Sequence, residues 1–132
     1  MLEALIAALI KKEDLRDVTV ESAGTYIGVD PSLVGSLATE HAVTCMEARG
    51  LDISGHHSQR IADIAIHNYD LIVCMTKEEA AYVLNLEPRG MILLANAMRD
   101  IPNPWQKGIE EYEVCAKVLE EVAAEIVCKY VI

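Results

Sequence analysis

The sequence predicts an α/β fold: a three-layer sandwich with a short parallel sheet flanked by helices. Three observations lead there. First, residues 69–76 place five consecutive apolar side chains, Leu71 to Met75, between an Asp and a Thr. With no polar alternation, both faces of that run need burial, as in a parallel strand covered on both sides. The run is too short for a buried helix, and Ile72 and Val73 favour a strand. Second, Thr76 is placed to cap a helix opening at Lys77, with Glu79 completing a capping box. Third, a similar short apolar run at residues 91–94 precedes a long amphipathic segment. Strands alternating with helices give a parallel sheet, and such folds bind ligands beyond the carboxyl ends of the strands.

The 132 residues are read as one domain, 1–132, long enough for a substantial core. A hydrophobic fraction of 52% and a mean hydropathy of +0.22 exclude disorder. No apolar run approaches the roughly 18 residues that span a bilayer. Residues 1–10 are apolar but interrupted by Glu3, and they lack a basic leader and a cleavage site. They read as an amphipathic helix rather than a signal peptide. The net charge of −10 argues against nucleic acid and anionic membranes as partners. Cys45, Cys74, Cys115 and Cys128 are widely spaced, without a C-x-x-C pair. They read as buried free thiols of a cytoplasmic protein, with no metal and no cofactor expected.

In order, Leu2, Leu5, Ile6, Leu9 and Ile10 recur at helical spacing, and Lys11 and Lys12 suit the helix C-terminus. Residues 18–22 read as a short strand and 23–25 as its turn. Pro31 opens a second helix that runs to about Arg49, with Gly50 just past its end. Residues 51–60 form a polar connector, and 61–67 a short helix leading into the strand at 69–76. A helix over 77–86 ends at Pro88 and Gly90, and residues 91–94 form the next strand. Residues 95–107 are a loop in which Pro102 and Pro104 flank Asn103. The last helix spans 108–131. Val114, Val118, Val122, Ile126 and Val127 are expected inward, with Glu110, Glu111, Glu113, Glu120, Glu121 and Glu125 in water.

Several segments together carry a family resemblance. They are Met1-Leu2-Glu3-Ala4-Leu5, Glu21-Ser22-Ala23-Gly24-Thr25, Gly50-Leu51-Asp52-Ile53-Ser54-Gly55-His56, residues 69–76, and Ile101-Pro102-Asn103-Pro104-Trp105. In this order and spacing the chain resembles the low-molecular-weight protein tyrosine phosphatases, a family that includes arginine phosphatases and thioredoxin-linked arsenate reductases. The resemblance implies a first, central strand ending in a Cys-x5-Arg-Ser/Thr-Pro phosphate loop. Its Cys attacks phosphorus while backbone N–H groups and the Arg hold the phosphate. Met1 to Leu5 match the residues that follow that loop, so the strand and the loop are missing from this sequence. No cysteine here replaces the nucleophile. The position where the Arg belongs is Leu51 after Cys45 and Ala80 after Cys74.

The resemblance also places the family's general acid, an Asp before Pro-aromatic, at Asn103, whose carboxamide has no proton to give. Asp100 is a poor substitute, because Pro102 stiffens the backbone between them. Ser22 matches the rim of the family's pocket and Trp105 its wall. The plain alternatives are a turn serine bonding its own backbone and a loop anchor. The His56-His57 pair lacks a third ligand at metal spacing and reads as solvated loop histidines. The Glu-rich helix face reads as solvated. Thr76 leans towards the arginine-phosphatase branch.

The reading of the chain is therefore a non-catalytic phosphatase-like protein, truncated at its N-terminus. The alternative is an active phosphatase or arsenate reductase whose start codon lies upstream of Met1. Without the central strand, residues 18–22 and 71–75 would flank an empty slot. Either 18–22 slides across to pair with 71–75, or two chains combine as a homodimer, and the dimer is expected.

Overall fold

The computed structural model describes residues 1–132. In chain order its elements are α1 (Leu2–Lys12), α2 (Glu40–Glu47), β1 (Leu71–Cys74), α3 (Lys77–Asn85), β2 (Met91–Leu94) and α4 (Ile109–Ile126). The helices and short parallel sheet are those of an α/β protein. The chain forms two compact units. One comprises Met1–Ser22, Leu37–His57 and Asn103–Ile132, and the other Ala23–Ser36 and Ser58–Pro102.

The first unit is helical. Its apolar spacing decides which faces pack: α1 buries Leu2, Leu5, Ile6 and Ile10, and α2 buries Ala42, Cys45 and Met46. Both helices pack on α4, whose buried stripe runs from Tyr112 through Cys115, Ala116, Leu119, Val122 and Ala123 to Ile126. Burying each large aliphatic side chain stabilises by about 1.5–3 kcal/mol. Val122, Ile126 and Val127 are buried as expected, and the stripe departs from the expected one in its first half. Val114 is 64% exposed, while Tyr112, Cys115 and Leu119 take the inward positions. Glu113 is also not simply solvated. Arg49, just past α2, donates to both of its carboxylate oxygens, to Glu120 and to the Cys45 carbonyl. That guanidinium holds the Glu113 carboxyl below the usual carboxylate range. The last turn widens to π geometry over Val127–Val131, which leaves Cys128 exposed, contrary to the expectation of four buried thiols.

The second unit holds the sheet. β1 and β2 pair in parallel, Leu71 opposite Met91 and Cys74 opposite Leu94. Thr76 caps α3 as expected: its hydroxyl oxygen accepts from the Glu79 N–H at 3.1 Å. Asp100 supplies a further acceptor to that helix end, taking the Lys77 N–H at 2.9 Å. Ile61, Ile66, Cys74 and Val83 form the buried centre. Gly90 lies where the chain turns into β2. An added Cβ there would overlap the Tyr69 carbonyl oxygen and lie 2.6 Å from that of Asp70.

Three expected elements differ. Residues 18–22 form no strand. Their half-buried Val18, Val20 and Ser22 still alternate with exposed Thr19 and Glu21. A ladder, however, needs a strand neighbour about 4.8 Å away, and the sheet contains β1 and β2 alone. The sliding repair, in which 18–22 pairs with 71–75, is therefore not adopted. The helix expected from Pro31 to Arg49 is broken into a single 3₁₀ turn, Pro31–Leu33, and α2. Gly35, at φ +87°, cannot continue a right-handed helix. The Ser58 hydroxyl holds the intervening loop by taking the Gly35 N–H and donating to the Leu33 carbonyl. The short helix expected over 61–67 is two 3₁₀ turns, Ile61–Asp63 and Ile66–Asn68.

Candidate functional site

The first unit contains a cavity of about 280 Å³. The start of α1 supplies Met1, Glu3 and Ala4, and the approach to α2 supplies Ala38 and Thr39. Ala42, Ile53, His56 and Tyr112 complete the wall with Ser22 and the loop Asn103-Pro104-Trp105. Backbone pairing holds two of these segments together. Leu37 bridges His57, and the Ala38 N–H donates to the His56 carbonyl at 3.3 Å.

Glu3 is the polar centre. Its Oε2 accepts from the Ser22 hydroxyl at 3.2 Å and lies 3.3 Å from His56 Nδ1. Both contacts use the same oxygen. Across the cavity the Thr39 hydroxyl donates to the Tyr112 oxygen at 3.0 Å. His41 packs its ring on Tyr112, with centroids 5.5 Å apart. No Arg or Lys side chain lines the cavity. Met1 does, and burial draws the pKa of its amine down although Glu3 acts in the opposite direction.

Asn103 uses its side-chain oxygen to take the Trp105 N–H at 3.1 Å, a local turn that sets the loop. Trp105 is 42% exposed, so the indole both lines the cavity and meets solvent. None of the cysteines lines the cavity. Burial pushes the Cys45 thiol up to about 11, assisted by its hydrogen bond to Glu113, and burial pushes Cys74 up to about 11 as well. Cys115 is raised for the same reason. These side chains remain thiols at neutral pH, whereas the nucleophile of thiol chemistry is the thiolate.

The structure thus gathers Ser22, Asn103 and Trp105, expected from the sequence, around one cavity. Ser22 donates to Glu3, a partner that spacing did not predict. His56, expected to be a solvated loop histidine, is half-buried against the same carboxylate. Glu3, Thr39 and Tyr112 were not singled out as site residues by sequence. The available signal was Glu3 itself, an acid interrupting an apolar helix start.

An α/β fold with a parallel pair, a capped helix after its first strand and an Asn-Pro-Trp loop at a small cavity agrees with the phosphatase resemblance carried by the sequence motifs. Comparison with known proteins makes the assignment specific. The family model "Low molecular weight phosphotyrosine protein phosphatase" matches residues 1–130. The protein-tyrosine-phosphatase Wzb of Salmonella typhimurium is 31% identical over 113 residues, covering 82% of this chain and 72% of Wzb. Etp of Escherichia coli is 28% identical over 125 residues, covering 91% of this chain and 81% of Etp. Among solved structures, Wzb from Escherichia coli K30 in complex with sulphate is 25% identical, with a TM-score of 0.80. That match covers 97% of this chain and 86% of Wzb. The chain belongs to the low-molecular-weight protein tyrosine phosphatase family.

Proposed function

We propose that these 132 residues act as a non-catalytic member of the family, binding through the cavity without turning over a phosphate ester. The charge of the cavity carries this reading. Its carboxylate is Glu3, which lies 3.3 Å from His56 Nδ1 and interacts with the Met1 amine, and no Arg or Lys side chain lines the cavity. A phosphate dianion calls for converging N–H donors and cationic partners, and it is repelled by a nearby carboxylate. Two further features agree. The Cys-x5-Arg-Ser/Thr pattern is absent from the 132 residues, and Asn103 stands where the acid belongs. On this reading Ser22, Asn103 and Trp105 are remnants of a substrate pocket.

The test is an aryl phosphate assay on protein purified to homogeneity, before and after all four thiols are alkylated. No turnover is expected in either sample, and turnover that survives alkylation would overturn the proposal. Asn103→Asp alone is expected to give no activity either. A general acid accelerates a feasible reaction by about 10²–10⁴-fold but does not supply a missing nucleophile.

A second reading rests on one observation: Met1 to Leu5 match the residues that follow the phosphate loop in the family. A strand and Cys-x5-Arg loop encoded in frame upstream would make an active phosphatase or arsenate reductase. The relatives named above, as tyrosine phosphatases, favour phosphotyrosine chemistry in that case. Intact mass of the native protein separates the two readings.

Homodimerisation remains part of the proposal. The two-stranded sheet leaves strand edges, and Met91 of β2 and Leu84 of α3 are largely exposed. Sedimentation equilibrium is expected to show association as concentration rises, and a single 14.5 kDa species throughout would contradict it. A cytoplasmic location belongs to the same reading, since buried thiols such as Cys45 and Cys74 suit a reducing compartment.

A further inference from the structure

We infer that the outer edge of β2 is the homodimer interface: two copies pair their β2 strands antiparallel across a two-fold axis at Leu93, joining their sheets into one. The inference rests on the homodimer proposed above and names its contact surface.

The register of β1 and β2 decides which backbone groups are spare. The Met91 N–H donates to the Asp70 carbonyl and the Ala95 N–H to the Cys74 carbonyl. Met91, Leu93 and Ala95 therefore address β1, and Ile92 and Leu94 turn their N–H and C=O groups to the opposite side. No strand or loop takes those groups. A strand added beyond β1 would leave them as they are. Folded proteins guard such an edge with charge, proline or a bulge. Residues 90–98 hold no charged residue and no proline, and the pairing from Leu71–Met91 to Cys74–Leu94 runs without a bulge. The apolar side chains beside it are open to water, Met91 being 55% exposed and Met98 89%.

A second copy fits this edge. An antiparallel pair centred on Leu93 sets Ile92 opposite Leu94 of the second copy, and the two residues exchange both N–H···O=C bonds. The two-fold axis repeats the exchange, so every spare group of both strands is used. Charge permits the approach. A net charge of −10 opposes self-association in general. Each end of β2, however, carries one acid and one base: Glu87 and Arg89 before it, Arg99 and Asp100 after it. Antiparallel pairing brings the leading end of one copy beside the trailing end of the other, so opposite charges are available across both ends.

The experiment is sedimentation equilibrium of the full chain at rising concentration, wild type beside Leu93→Lys. Lysine at this position sets like charges opposite each other at the axis. The wild type is expected to associate, and the variant to associate about tenfold or more weakly. Circular dichroism melts establish that the variant is folded. If it is not, Met91→Lys, at a largely exposed position, replaces it, with weakening again expected. A second measurement reads the register. Cα atoms opposite each other in a non-hydrogen-bonded antiparallel pair lie about 4.5 Å apart, within disulfide reach. In a Cys128→Ser background, which removes the exposed thiol, Leu93→Cys is expected to give a disulfide-linked dimer on oxidation with diamide. Val114→Cys, at an exposed position of α4, is expected to give none. Undiminished association of a folded variant, or no cross-link at position 93, would overturn this interface and leave the homodimer standing. A single 14.5 kDa wild-type species at every concentration would overturn the homodimer itself and the interface with it. That result would leave the edge to an extended segment of another protein. The two failures are thus distinguishable.

Discussion

The two units of the chain are stabilised in different ways. In the helical unit, α4 offers a continuous buried stripe to α1 and α2, and Cys45, Met46 and Ala116 are wholly inaccessible. In the sheet unit the parallel pair is thinly covered. Of the β1 residues only Cys74 is buried, and none of β2 is. Parallel strands are ordinarily buried on both faces. Here Val83 of α3 and a few isoleucines do most of the covering. The helical unit thus rests on side-chain packing, and the sheet unit on backbone geometry: register, a helix cap and a glycine.

The largest effect is expected where packing is densest. Met46→Ala should cost about 3–4 kcal/mol, because a wholly buried side chain leaves a cavity among α1, α2 and α4. Urea denaturation checks this, and a loss no greater than that of Val83→Ala would break the comparison. Gly90→Ala comes next, at about 2–3 kcal/mol from overpacking, because its Cβ meets the Tyr69 and Asp70 carbonyls. Native-state hydrogen exchange should show faster exchange in β1 and β2 while α4 is spared.

Arg49→Met removes a guanidinium shared by Glu113, Glu120 and the Cys45 carbonyl, and should cost about 1–2 kcal/mol at neutral pH. It should also change the response to acid. The folded-state pKa of Glu113 is depressed, first by Arg49 and then by Cys45. Its contribution is therefore present above the unfolded carboxylate pKa and lost as pH falls through the lower folded value. The wild type should lose stability more steeply than Arg49→Met across that acidic window, as measured by thermal melts. Thr76→Ala is the smallest, at about 1 kcal/mol for a lost helix cap, and should speed exchange in the first turn of α3.

The same division explains what could be read from the sequence. β2 and the Thr76 cap fall where expected, and β1 within the expected run, because their signals are local: short apolar runs, a capping residue, a Pro or Gly. Residues 18–22 carry the alternation of a strand but form none, since a strand is a property of two segments. The expected helix from Pro31 to Arg49 failed at Gly35, whose positive φ depends on the Ser58 contacts of a distant loop. The inward stripe of the last helix held at Val122, Ile126 and Val127 and failed at Val114, because periodicity fits Val114 or Tyr112 equally well until α1 and α2 are in place. Ser22, Asn103 and Trp105, named through the family resemblance, do line one cavity. Glu3 and His56 were not read as lining it, because their significance lies in a 3.3 Å approach between residues far apart in sequence.

The central proposal, that the cavity neither holds nor hydrolyses a phosphate ester, has a direct test in ³¹P NMR of phenyl phosphate with stoichiometric protein. The account predicts a single unshifted ester resonance that persists. A protein-dependent shift, or inorganic phosphate that continues to accumulate after thiol alkylation, would contradict it.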